Sequence, residues 1–155
     1  DPEIVGATAA LLVHLGRLEE AIAPKEFSIA SDPLNPVGYA NLGSIYYFAG
    51  QWDRAIAAYR KALELSPGYI GAQYFTGAAY LMKGEADKSI EYSRKALELA
   101  LDFAVAHNNL GIMLASTGEI ESALREFEEA LRLEPGFAEA RGNLARARAL
   151  STDER

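Results

Sequence analysis

Gly16, Gly50, Gly84 and Gly118 stand 34 residues apart, and five residues after each comes a small side chain: Ala21, Ala55, Ser89 and Ala123. A period of that length is the mark of one supersecondary unit copied along the chain. Such a chain folds as an array in which each copy buries its apolar face against the next.

Each unit is numbered here so that its glycine is position 15. The units then begin at Pro2, Pro36, Ile70 and Ala104, with a partial fifth from Ala138. In the second unit Tyr39, Leu42, Gly43 and Tyr46 form one helical stripe, and Trp52, Ala55, Tyr59, Ala62 and Leu63 form another. The pattern predicts two amphipathic helices per unit, hinged at the glycine. Small residues at positions 8 and 20 let the two backbones approach, and the aromatics fill what is left. Pro33, Pro67 and Pro135 fall at position 32, where proline ends the second helix because it lacks an N–H and crowds the preceding turn.

The 155 residues, half of them apolar, suit one short helical array. The apolar run Ile4–Leu15 is interrupted by Gly6, Thr8 and His14 and is shorter than the roughly 20 residues of a spanning helix, so no membrane insertion is expected. That run also lacks the basic leader of a signal peptide, and cytoplasm is the default expectation for want of a targeting signal. The net charge of −7 has the wrong sign for nucleic acid. The absence of cysteine removes disulfides, thiolate nucleophiles and cysteine-ligated zinc. A chain opening on Asp1 rather than Met reads as a fragment of a longer protein.

These residues resemble the tetratricopeptide repeat family, in the bacterial type of array. That family's unit carries an aromatic, Leu, Gly and Tyr on its first helix and Ala, an aromatic, Ala and Pro on its second. The resemblance is clearest from Tyr39 (YANLGSIYYFAGQWDRAIAAYRKALELSP) and from His107 (HNNLGIMLASTGEIESALREFEEALRLEP). The third unit departs at Gln73, Thr76, Ser93 and Leu101 but keeps Gly77, Tyr80, Gly84, Ala96 and Leu97. The first is degenerate, with Val5 and Thr8 in place of the family's usual aromatic and Leu and Pro24 inside the second helix, where proline kinks a helix at a cost of about 3 kcal/mol. The resemblance implies an all-α, right-handed α-solenoid of antiparallel helix pairs. Residues 1–155 would form a single domain of units 2–35, 36–69, 70–103 and 104–137, closed by a polar-faced capping helix over 138–150.

Little in the chain suggests catalysis. The two histidines, His14 and His107, have no metal-ligand spacing, and His107 sits in a slot the family gives to an aromatic, which reads as packing. Glu121 with Arg125 and Glu128 with Arg132 have the i,i+4 spacing of a solvated helix face. No phosphate-cradling glycine loop and no serine with a candidate base is present. No catalytic residue, metal site or cofactor is expected.

The informative contrast is where charge is missing. Pro36 to Gly50, Ile70 to Met82 and Phe103 to Gly118 contain no Asp, Glu, Lys or Arg. The family resemblance places these first helices on a concave groove, with positions 2, 5, 9 and 12 facing inward and 6 and 13 beside them. The partner-binding candidates in those slots are Asn41, Ser44, Tyr47, Phe48, Tyr74, Ala78, Leu81, Met82, Asn108, Asn109, Ile112 and Arg146. Tyr47, Phe48, Tyr74, Leu81, Met82 and Ile112 are the apolar anchors; Asn108, Asn109 and Arg146 would orient the ligand. Asn41, Asn109 and Asn143 share position 6, so their amides form a candidate ladder for a peptide backbone, interrupted by Phe75.

Family members that hold acidic chaperone tails use Lys at position 5 and Asn at position 9 of the first unit. Here Gly6 and Ala10 stand there, followed by Ala40 and Ser44, which argues against that ligand. The reading is an interaction module that binds a short, largely apolar or aromatic peptide. Other readings stay open: a groove covered by the rest of the same polypeptide, a regulatory segment of a larger enzyme or signalling protein, and a self-assembling scaffold. The second follows from DPLNPVGYANLG and AIAAYRKALELSPGY, which resemble bacterial repeats found beside catalytic or signalling domains.

Overall fold

The computed structural model describes residues 1–153, and the described residues are helical with no strand. The helices are α1 (Pro2–His14), α2 (Leu18–Ser31), α3 (Pro36–Phe48), α4 (Trp52–Leu65), α5 (Ile70–Lys83), α6 (Ala86–Leu99), α7 (Ala104–Ser116), α8 (Ile120–Leu133) and α9 (Ala138–Asp153). The all-α fold of successive helix pairs is the one the 34-residue spacing predicts. The last helix runs past residue 150 to Asp153, and α2 continues through Pro24 without interruption, as long as α4 and α8.

The hinge glycines have φ of +72° to +85°, a left-handed conformation open to glycine at no steric cost. Each hinge is closed by the same pair of hydrogen bonds. The Gly50 N–H donates to the Tyr47 carbonyl at 3.0 Å and the Gln51 N–H to the Tyr46 carbonyl at 2.8 Å, and the other three glycines repeat the pattern. This is a Schellman closure, which satisfies carbonyls that the end of a helix leaves open. The start of α3 is fixed by Asn35, whose side-chain oxygen accepts from the N–H groups of Val37 and Gly38 at 3.0 and 3.2 Å, ahead of Pro36 in the first turn.

The chain divides into two compact units, Asp1–Ala79 and Tyr80 onward. In the first, α3 and α4 run antiparallel: the Arg54 guanidinium lies 4.1 Å from the Tyr46 ring centroid, and further along both helices the Tyr59 hydroxyl donates to Ser44 Oγ at 3.1 Å. Tyr59 presses on Gly43, where a Cβ would meet its ring at 2.7 Å. Ala21, Ala55, Tyr59 and Ala62 are almost wholly buried in this core. Tyr46 also contacts Glu26 of α2, and burial together with that carboxylate pushes its phenol up to about 12.

The second unit repeats the construction with Phe127 on Gly111, where a Cβ would stand 2.6 Å from the ring. Its α8 and α9 are antiparallel as well, since Arg148 reaches Glu128 at 3.0 Å while Ser151 reaches back to Glu121 at 3.5 Å.

Candidate functional site

In the first unit, Tyr47, Phe48 and Tyr74 surround Phe75. The Tyr74 and Phe75 ring centroids lie 5.0 Å apart, Tyr47 and Phe75 5.7 Å, and Phe48 and Phe75 6.4 Å, all edge to face. Tyr59 stacks on the same ring at 5.8 Å with the planes 13° apart. Edge-to-face and offset stacking are the arrangements aromatic quadrupoles favour. Phe48 is 64% exposed at the end of this cluster, so a large apolar ring lies open to solvent. Phe75, which flanks the inward-facing slots and interrupts the row of asparagines, is its hub.

Asn41 is exposed and Ser44 half-buried, with the Ser44 hydroxyl donating to the Ala40 carbonyl at 3.1 Å and accepting from Tyr59. Ala78 is buried and contributes to packing rather than to an accessible surface.

In the second unit, Met82 is 49% exposed, and Leu81, Asn109 and Ile112 are half-buried. Asn108 is a correction to the expectation that it faces a partner. It is buried, its side-chain oxygen accepts from Asn143 Nδ2 at 2.9 Å, and its Nδ2 lies 3.5 Å from Glu139 Oε1. Arg146 Nη2 in turn donates to Asn143 Oδ1 at 2.6 Å. The physical reason is that α9 lies against α7, and a buried amide must find partners inside the chain. The same network consumes Asn143, so the asparagine ladder loses a rung. Arg146 remains exposed, held by Asn143.

His107 packs as its slot suggests, but with two polar partners. Its Nδ1 lies 2.7 Å from Glu126 Oε2 and its Nε2 3.2 Å from the Leu101 carbonyl. Both partners are acceptors, so the ring is best satisfied with both nitrogens protonated. The hydrogen bond to Glu126 accordingly raises its pKa, against the opposing pull of burial. Among the described residues no group of three or more His, Asp or Glu side chains is placed to hold a metal ion, and no helix is long and apolar enough to cross a membrane.

Comparison with known proteins bears on this arrangement. Over 67 residues the chain is 33% identical to Hsp70-Hsp90 organizing protein 2 of Arabidopsis thaliana, which is 43% of this chain but 12% of that protein. Among solved structures, MamA is 26% identical with a TM-score of 0.88 over 94% of this chain and 80% of its own. TTC0263, a tetratricopeptide repeat protein of Thermus thermophilus, is 25% identical with a TM-score of 0.75 over 95% and 81%. Models of the tetratricopeptide repeat match residues 36–69, 70–103 and 104–137, each the length of one unit and together more than half the chain. With those matches, the repeated hinge and the ring-on-glycine packing of its helix pairs, the chain belongs to the tetratricopeptide repeat family.

Proposed function

We propose that this chain is a protein-interaction module that holds a short, largely apolar or aromatic peptide segment against its first helices. The observation that carries the reading is the aromatic cluster of the first unit, which ends in the exposed ring of Phe48 on helices bearing almost no charge. Depletion of charge with exposed aromatics is the composition of an interface core. Tyr47, Phe48 and Tyr74 act as anchors in the first unit; Leu81, Met82 and Ile112 do so in the second, where Asn109 and Arg146 orient the bound backbone. Ala78 in the first unit and Asn108 in the second are buried beneath their own unit's surface. The likeness to Hsp70-Hsp90 organizing protein 2 does not extend the proposal to acidic chaperone tails, because Gly6 and Ala10 supply neither a cation nor an amide.

Selection of a displayed random-peptide library on the chain tests the reading, alongside a Tyr47→Ala, Tyr74→Ala, Ile112→Ala triple variant of unchanged helicity. A shared apolar or aromatic motif enriched only on the parent is expected. Tyr74→Ala alone should weaken a selected peptide by about 1 kcal/mol or more, measured by calorimetric titration. Equal enrichment on parent and triple variant would overturn the assignment of these side chains.

A further inference from the structure

In the first unit, Tyr59 and Phe75 form a stacked pair that fills the space beside α3 and α4. One repeat earlier, 34 residues back in each case, the equivalent positions hold Lys25 and Asn41. Neither has a ring. The space the pair would fill is a half-open cavity of about 290 Å³ bounded by α1, α2 and α3, with Ala9, Val13, Leu18, Ile45 and Phe48 in its walls. Lys25 is the charged side chain among its lining residues, and among the described residues it has no ion-pair partner.

We infer that this cavity receives an aromatic side chain of the bound peptide, seated where the repeat elsewhere places its own ring, with the Lys25 ammonium against the ring face. The shape argument is internal to the molecule, because the next repeat seats the Phe75 ring in the slot that Asn41 holds here. The charge argument is that an ammonium beside apolar walls is complementary to the negative face of an aromatic ring. The cavity is at the lower end of the sizes that hold small ligands, suited to one side chain rather than a large cofactor. The inference rests on the peptide-binding reading and names the side-chain class it recognises.

The test is a methyl-detected NMR titration of the full chain with N-acetyl-phenylalanine amide and with its cyclohexylalanine analogue. Saturable shifts centred on Ala9, Leu18 and Ile45 are expected, and the saturated analogue should bind about three- to fivefold more weakly because it lacks the ring face. Asn41→Phe, which puts a ring in the slot of Phe75, should abolish those shifts by filling the space from α3. Lys25→Met, which keeps the stem and removes the ammonium, should weaken the amide about three- to fivefold and serves if Asn41→Phe misfolds. No shifts at these methyls, equal binding by the analogue, or unaltered shifts in both variants would each overturn the inference. Selected peptides that bind parent and Asn41→Phe equally would also overturn it, while leaving the peptide-binding reading intact. Seating of the amide without enrichment of any peptide would do the reverse.

Discussion

A methyl group added at Gly111 would stand 2.6 Å from the Phe127 ring, closer than such carbons pack, and the ring is itself 2% exposed with nowhere to retreat. Gly111→Ala should therefore destabilise the chain by about 1–3 kcal/mol in urea denaturation, the range for overpacking a close contact. Gly142→Ala, with open space around it, is the control and should be neutral or stabilising by up to about 1 kcal/mol through helix propensity. His107 carries a pH prediction of definite sign. Its folded pKa is raised, so its contribution is whole below the unfolded value of about 6.5 and is lost as pH rises through the folded one. Tm of the parent should fall between pH 6 and pH 8.5 by more than that of His107→Gln, which cannot titrate; parallel profiles would show that Glu126 holds the ring without holding its proton.

At the scale of the helix, the starts at Pro36, Ile70, Ala104 and Ala138 were legible because periodicity and hinge glycine mark all four boundaries and a terminating proline marks all but that before Ala104. Asn35 adds a local device to one of them. Asn35→Ala should cost about 1 kcal/mol, the usual loss when an N-cap is removed, read as a lower urea midpoint at unchanged m-value. The unit lacking its proline, with Leu101 in that slot, still ends its second helix at Leu99, so glycine spacing and apolar periodicity set the element and proline only sharpens it. Side-chain direction was less legible. Asn108 shares a slot with Ala40 and Tyr74, and nothing local separates an amide facing outward from one turned inward. Its partner Asn143 is 35 residues away, one repeat plus one position, which a search at the repeat period passes over. The cavity was hidden for a related reason: Lys25 reads as an ordinary helix-surface lysine until it is set beside the stacked rings one repeat later.

Across the whole molecule the charge is unevenly placed. The net −7 comes from residues concentrated on the second helices and turns, where Arg17–Glu20, Lys61–Glu64, Lys95–Glu91 and Arg132–Glu129 pair at the surface. Exposed pairs of this kind contribute about 0–1 kcal/mol each and weaken in salt. A peptide held by uncharged first helices should be indifferent to them. Its affinity should change by less than about twofold between 0.05 and 0.5 M NaCl in calorimetric titration, in contrast to the steep losses of charge-driven binding. A large loss would place the charged helices in the interface. The same repetition that makes such a face also exposes a nascent chain to mispairing, since any second helix resembles the proper mate of any first. Ala9 breaks that degeneracy. Its methyl occupies the spot that Gly43 and Gly111 leave empty for a ring, so α4 or α8 laid against α1 would drive Tyr59 or Phe127 into it. The slender Lys25 lets α2 sit there, and of the later second helices α6, with Ser93 in that slot, is the one not turned away, so the wrong mates open to α1 in the growing chain narrow from three to one.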